Sequence, residues 1–436
     1  MTSPPTSSTA THRAIDAVWR IESARLIAGL ARAYGDVGFA EDLAQDALLI
    51  ALEKWPETGI PTKPSAWLMT AAKNRAIDQF RRGRRFQERT AELGREVETR
   101  QEESALDLDP ALDALDDDIG DDLLRLIFVA CHPVLSTEAQ VALTLRLLGG
   151  LSTDEIARAF LVPEATVAQR IVRAKRTLTA ARVPFEVPRG AERAARLSSV
   201  LGVIYLVFNE GYAATAGDDW MRPGLCEDAM RLGRILAGLA PEEPEVHGLL
   251  GLMEIQASRS RARVGPAGEP ILLLEQDRAR WDRLLIGRGL AALDRAERLG
   301  GALGPYALQA AIAAYHARAW SADATDWGQI AALYDALAQI APSPVVELNR
   351  AVALGMAFGP EAGLELVDAI ADEPSLAGYH LFPAVRGDLL ERLGRRTEAA
   401  EAFLQAASLT RNERERQVLA GRAVACVGDG HGEGSV

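Results

Sequence analysis

The sequence predicts an all-α protein. Ala, Leu, Arg and Glu dominate it, apolar residues recur at intervals of three and four, and no sustained period-two alternation of the kind that marks a strand occurs. Its 436 residues, 48% hydrophobic and 25% charged, have the balance of a globular chain of about three domains. No apolar run approaches the roughly 20 residues needed to span a bilayer, and the segment from Met1 to Thr11 lacks the apolar core of a signal peptide. The chain is therefore expected in the cytoplasm, with no membrane partner.

Taken in order, residues 1–12 are rich in Ser, Thr and Pro and are expected to be disordered. The stretch from Phe39 to Trp55 is an amphipathic helix in which Leu43, Ala47 and Ile50 share the inner face. Asp42, Gln45, Asp46, Leu49 and Glu53 mark the outer face, acidic with one exposed Leu. Within a basic module such a face suits a basic protein partner better than DNA, the plainer alternative being a solvated surface.

The next helix runs from Pro64 to Arg85. Trp67, Asn74, Arg75, Asp78, Arg81 and Arg82 fall within a sector of roughly 120°, with Ala66, Met69, Ile77 and Phe80 away from it. An aromatic ring beside guanidinium and amide groups can stack on an unpaired base while its neighbours hold the backbone. A Trp at a helix start is otherwise a core residue.

Charge is segregated along the chain. The totals of 48 Lys+Arg and 61 Asp+Glu give a net charge of -13, which argues against the whole surface gripping nucleic acid. Yet basic residues cluster from Lys73 to Arg100, and again at Arg158, Arg170, Arg173, Lys175, Arg176 and Arg182. Between them, Glu102 to Asp122 holds ten acidic residues and no Lys or Arg, interrupted by Pro110 and Gly120, which is expected to stay extended. Two positive patches flanking a negative stretch suggest two nucleic-acid modules joined by a linker.

The second patch contains the clearest local motif. Ser152 and Glu155 have capping-box spacing, Ile156 and Phe160 are the buried residues of a short helix, and Pro163 opens a second one. The pair spells helix-turn-helix. Val167, Ile171, Ala174 and Leu178 share one face of the second helix, leaving Gln169, Arg173 and Arg176 opposite, Thr166 beside them and Arg170 at the boundary. That outer face carries donors for base edges and phosphates.

Pro184 and Pro188 end this module near 183–190. Beyond it, residues 306–340, 344–371 and 379–409 read as three helix pairs with a period of about 35, close to the 34 of a tetratricopeptide (TPR) unit, and an ordinary helical bundle is the alternative. Asn209, Glu210 and Tyr212 read as a helix-ending turn, with the lining of a site as the alternative; Trp281 and Trp327 read as core. Residues from Gly428 onward are expected to be disordered.

Enzymatic readings fare badly. There is no phosphate-cradling Gly-rich loop and no metal-ligand spacing among the six histidines, so no cofactor or metal is expected. Cys131, Cys226 and Cys426 match no disulfide or zinc spacing and read as small buried or incidental residues. Cys131 and His132 would point about 100° apart on a helix, which disfavours a nucleophile–base dyad.

The motifs, in this order, resemble the extracytoplasmic-function (ECF) sigma factors of bacterial RNA polymerase over roughly residues 13–182. Glu41 to Ala47 looks like the region 2 helix that docks on the β′ clamp of core polymerase, which implies contact through Asp42, Gln45, Asp46 and Leu49. Trp67–Leu68, Ala72 to Asn74 and Ile77–Asp78 to Arg82 look like the helix that melts and reads the minus-ten element, implying roles for Trp67, Asn74, Arg75, Asp78, Arg81 and Arg82. Leu143 to Leu178 is similar to region 4, which binds the minus-thirty-five element and the β flap, implying DNA contact by Thr166, Gln169, Arg170, Arg173 and Arg176. Leu161 in the turn and Ala165 at the second helix's start depart from the family's usual Gly, so a differently shaped turn is expected.

The remainder resembles the long TPR-like extension of one ECF subgroup, through Phe208 to Tyr212, Asp326–Trp327 and Ser343 to Ala351. There the extension is thought to control the factor, which implies a regulatory protein or peptide as a further partner beside core polymerase and promoter DNA. The resulting division is a disordered N-terminus (1–12), region 2 (13–100), an acidic linker (101–119), region 4 (120–183), the helical extension (184–427) and a disordered tail (428–436). The competing reading is a stand-alone helix-turn-helix regulator with a TPR-like sensor. It leaves the acidic helix and the Trp67 face unexplained. A pure scaffold would require both basic patches to be incidental.

Overall fold

The first three helices are fixed by caps and small residues. In the computed structural model, which describes residues 7–91, 119–266 and 268–428, α1 spans Ser7–Tyr34, α2 Val37–Thr58 and α3 Pro64–Ala91. The Asp36 side chain caps α2 by accepting from the Phe39 amide at 2.8 Å. Gly59, at φ 82, ends the helix in a conformation that favours glycine. Leu26, Ile27 and Leu30 of α1 meet Leu43, Ala47 and Trp55 of α2 and Leu68, Ala72 and Ala76 of α3 in a closely packed core.

Four helices build the second module: α4 (Ile119–Ala130), α5 (Thr137–Leu147), α6 (Thr153–Phe160) and α7 (Glu164–Ala180). Ser152 and Glu155 form the expected capping box on α6. Leu161 ends that helix in the left-handed region at φ 50, so the turn bears a strained leucine, 53% exposed, where glycine would be free. Pro163 is the residue before α7 rather than its first residue.

Helix α8 spans Gly190–Tyr212, and the chain divides within it into two compact units, Met1–Val203 and Ile204–Val436. The second unit continues with α9 (Pro223–Leu239), α10 (Pro244–Ala257), α11 (Arg283–Arg298), α12 (Pro305–Arg318), α13 (Trp327–Ile340), α14 (Pro344–Phe358), α15 (Pro360–Ala369), α16 (Leu381–Arg392), α17 (Arg396–Leu409) and α18 (Glu413–Gly428). The expected pairs correspond to α12–α13, α14–α15 and α16–α17. From α13 to α18 each helix packs mainly on its neighbours in sequence, whereas α12 packs chiefly on α10. Gly251 and Gly289 let α10 and α11 approach closely, because a Cβ on Gly289 would lie 2.9 Å from the Gly251 carbonyl oxygen. A two-residue parallel pairing joins Ala216–Gly217 to Arg411–Asn412. The buried Asn412 amide donates to the carbonyls of Ala214 (3.1 Å) and Asp219 (2.9 Å), while its oxygen accepts from the amides of Arg414 and Glu415.

The all-α expectation holds, and some local expectations need correction. α1 begins at Ser7, inside the segment expected to be disordered, and α18 runs to Gly428, where the disordered tail was expected to start. Asn209, Glu210 and Tyr212 belong to the last turn of α8 rather than to a turn after it. The buried stripe of α3 is Leu68, Ala72 and Ala76, while Ile77 and Phe80 are largely exposed. Phe80 instead lies 5.7 Å from the ring of Phe39 and 6.1 Å from that of Tyr34. Most of the acidic stretch, up to residue 118, lies outside the described residues.

Candidate nucleic-acid interface

Helix α7 sorts its residues by face as its periodicity requires. Val167, Ile171, Ala174 and Leu178 are buried, Thr166, Gln169, Arg173 and Arg176 are exposed, and Arg170 is half-buried at the boundary. The exposed set presents two guanidiniums, an amide and a hydroxyl on one strip, a donor array suited to phosphates and base edges. Glu155, which caps the preceding helix, keeps its carboxyl below the ordinary range: burial would raise it, but the Ser152 amide and the Arg20 guanidinium at 2.7 Å outweigh that effect.

On α3, Asn74, Asp78, Arg81 and Arg82 are exposed. Trp67 is half-buried, with its ring 5.2 Å from that of the buried Trp55 in an edge arrangement. Trp55 thus fixes one side of the Trp67 ring. Arg75 is drawn away from this strip to α2, where its Nε donates to Asp46 at 2.7 Å and its pKa is raised chiefly by that hydrogen bond. Gln79 adds a weaker contact to the same carboxylate at 3.4 Å.

On α2, Asp42 and Leu49 are exposed, Leu49 at 58%, while Gln45 and Asp46 are half-buried. The neighbouring Glu41 is buried at 2% and collects three partners. Arg146 of α5 donates to it at 2.7 Å, Lys175 of α7 forms an ion pair with it, and Gln45 donates to it from the same helix. Lys175 also reaches Asp42 at 3.1 Å, and the Thr179 hydroxyl donates to Asp36 at 3.1 Å. A buried carboxylate held by two cations costs desolvation and is retained through its pairing. Gly150, at φ 70, brings the turn before α6 against α1; an added Cβ there would lie 3.0 Å from the Ser23 hydroxyl.

Comparison with known sequences falls on these same elements. Residues 21–86 match Sigma-70 region 2, and residues 125–178 match Sigma-70, region 4. A protein of Rhizobium meliloti (strain 1021), described as uncharacterized, is 45% identical over 391 residues, which cover 88% of this chain and 89% of the relative. The chain belongs to the sigma-70 family, as an ECF-type factor with a C-terminal extension.

In this sigma factor, residues 196–297 match a family of unknown function (DUF6596), so its extension contains a domain of its own. Both sigma regions lie within the first compact unit. The structure brings together residues assigned from sequence to different tasks, since Asp46 holds Arg75 and Lys175 spans Glu41 and Asp42. Sequence reading missed Glu41 as a buried junction. On the helical wheel Glu41 lies with Asp42, Gln45 and Leu49, opposite Leu43 and Ala47, so no local pattern marked it as buried; its partners lie in another module. Among the described residues, no helix is long and apolar enough to cross a membrane.

Proposed function

We propose that this sigma factor acts as a dissociable initiation subunit of RNA polymerase, docking on the β′ clamp through the outer face of α2, with Asp42 and Leu49 as its exposed anchors and Gln45 and Asp46 beside them. The α3 strip of Trp67, Asn74, Asp78, Arg81 and Arg82 captures the melted minus-ten strand, with Arg75 placed to support it through Asp46. Stacking on an aromatic ring beside cations is sequence-tolerant strand capture, and Trp55 preorganises that ring. The α7 strip of Thr166, Gln169, Arg170, Arg173 and Arg176 reads the minus-thirty-five element in the major groove while its module engages the β flap. The reading places the factor in the cytoplasm and assigns it no catalytic step. The second unit, a TPR-like stack in this reading, regulates the factor by taking a protein or peptide partner; the neighbour-on-neighbour packing of α13 to α18 supports a stack there.

The single observation that carries the reading is the donor strip of α7, exposed opposite its four buried residues in a capped helix-turn-helix. The test is abortive initiation on genomic promoter fragments with purified core polymerase and the full-length chain. Starts that core alone does not make are the expected result. If no starts appear while the chain shifts duplex DNA by itself, the stand-alone regulator is the correct account.

A further inference from the structure

The second unit contains five arginines in one short segment that find no acid. Several arginines elsewhere in that unit pair with carboxylates: Arg222 with Glu210, Arg234 with Glu254, Arg350 with Asp335 and Glu347, and Arg422 with Asp388 and Glu391. Arg259, Arg261, Arg263, Arg278 and Arg280 form no ion pair among the described residues, although the chain has 61 acidic residues. The nearby Asp277 and Asp282 spend their carboxylates on the amides of Ala279 and of Leu284 and Leu285.

Two of these arginines are deeply buried, Arg263 at 7% and Arg278 at 5% exposure. The Arg263 guanidinium lies 3.5 Å from the centre of the Tyr212 ring and donates to the Tyr212 carbonyl. Arg278 donates to the carbonyls of His316 (2.6 Å) and Ala319 (2.8 Å) and to the Thr325 hydroxyl (3.0 Å), and its Nε has no acceptor among the described residues. Arg259 stands between them, 5.7 Å from the ring centres of both Tyr212 and Trp281. The Trp281 indole nitrogen and His316 Nδ1 are likewise buried without partners among the described residues. Burial and the positive charges of Arg259 and Arg278 push His316 down to about 3, so it adds no acid and no further cation to the group.

A cleft of about 710 Å³ opens against this group, lined by Ser260, Arg261, Arg280, Trp281 and Asp282 among others. Trp281 is therefore common to the cleft and the buried guanidiniums. Arg261 and Arg280 stand exposed at the cleft, their guanidiniums without a hydrogen-bonded partner among the described residues. Burying like charges without counter-charge is costly, and planar guanidiniums match phosphate oxygens in bidentate fashion.

We propose that this cleft binds a small phosphate monoester bearing a flat apolar group, with Arg261 and Arg280 holding the phosphate, Arg259 and Arg278 supplying positive potential behind it, and Trp281 forming the wall. The dianionic charge answers the excess of cations, which a carboxylate would only half meet. The site lies within the segment that matches the family of unknown function, so it gives that domain a ligand class. It does not rest on the promoter reading, because binding is measured without polymerase or DNA.

The experiment is calorimetric titration of the full-length chain with phenyl phosphate, inorganic phosphate, benzoate and phenol, with intrinsic tryptophan fluorescence followed in parallel. Saturable binding of phenyl phosphate is expected, tighter than inorganic phosphate and benzoate, with no binding of phenol. The double variant R261Q/R280Q, at exposed positions, should weaken it at least tenfold while its unliganded melting temperature stays that of the parent. R259Q should weaken binding without moving the stoichiometry. No saturable binding of phenyl phosphate, affinity unchanged in R261Q/R280Q, or benzoate or phenol binding as tightly as phenyl phosphate would each overturn the proposal.

Discussion

Glu41 of α2 forms a buried ion pair with Lys175 of α7, so the helix proposed to dock on polymerase is joined to the helix proposed to read DNA. Arg146 shares the same carboxylate at 2.7 Å. Replacing Glu41 with Ala leaves two partly buried cations facing a hole. The expected loss is about 3 kcal/mol of unfolding free energy, read as a lowered urea midpoint of the first unit. An unchanged midpoint would show that the junction is not populated in solution.

Charge reversal at Asp42 acts on an exposed carboxylate that accepts from Lys175 at 3.1 Å. D42R should weaken core-polymerase binding at least tenfold, with the helical content by circular dichroism unchanged. D46R should do the same and also release Arg75, a half-buried pair worth about 0.5 kcal/mol. Equal affinity of both variants and the parent would remove α2 from the docking surface.

Much of this was legible in the sequence because it depends on period alone. The four buried residues of α7, the Ser152–Glu155 box and the helix pairs of the second unit follow from spacing within a few turns. On α3 the wheel placed Asn74, Asp78, Arg81 and Arg82 on an exposed face but missed the core stripe and the half-burial of Trp67 and Arg75. Alanines at 72 and 76, small enough for close packing, are buried in place of the larger Ile77 and Phe80. The Glu41 junction depends on residues brought together from distant parts of the chain, and the arginines at 259–280, close in sequence, are buried against the distant Tyr212, His316 and Thr325; no local pattern encodes either. Leu161 was flagged by its departure from glycine, and the left-handed φ of 50 is the shape that departure left to be borne.

Arg173 and Arg176 can be separated by the kind of contact each makes. R173A or R176A should cost about 1–3 kcal/mol on the cognate duplex with relaxed preference at one base pair if the side chain reads a base edge. If it holds a phosphate, the loss is uniform across sequences and the salt slope falls by about 1. Binding isotherms at several salt concentrations distinguish the two, and no loss in either variant would clear α7 of DNA contact.

Trp67 should matter for opening more than for duplex binding. W67A is expected to reduce permanganate reactivity of the unpaired minus-ten strand, by a stacking loss of about 1–3 kcal/mol, whereas W67F retains part of it. Because Trp67 also packs on Trp55, the melting temperature of each variant must be measured alongside. Parent-level reactivity in W67A would assign the ring to the core alone.

His316 should make the second unit sensitive to acid. Its folded pKa of about 3 lies below the ordinary value of 6.5, so the folded state resists a proton that the unfolded chain accepts. Its neutral form sets no penalty above pH 6.5, and stability is lost as the pH falls from there toward 3. The loss approaches about 1.4 kcal/mol for each pH unit. H316Q should flatten the dependence of melting temperature between pH 6 and about 4, and a slope equal to the parent's would show that His316 titrates normally.

Asn412 gives the second unit a property that a plain stack of helices lacks. A linear array is free to fray from its last unit inward, each loss costing only one interface. Here the side chain of Asn412, just before the final helix, is bonded to backbone carbonyls at 214 and 219, near the beginning of the same unit. Peeling away α18 therefore disturbs the opening loop as well, so the first and last segments melt together. Hydrogen exchange would find the array's two extremities protected as one cooperative block, instead of a gradient declining toward the C-terminal end.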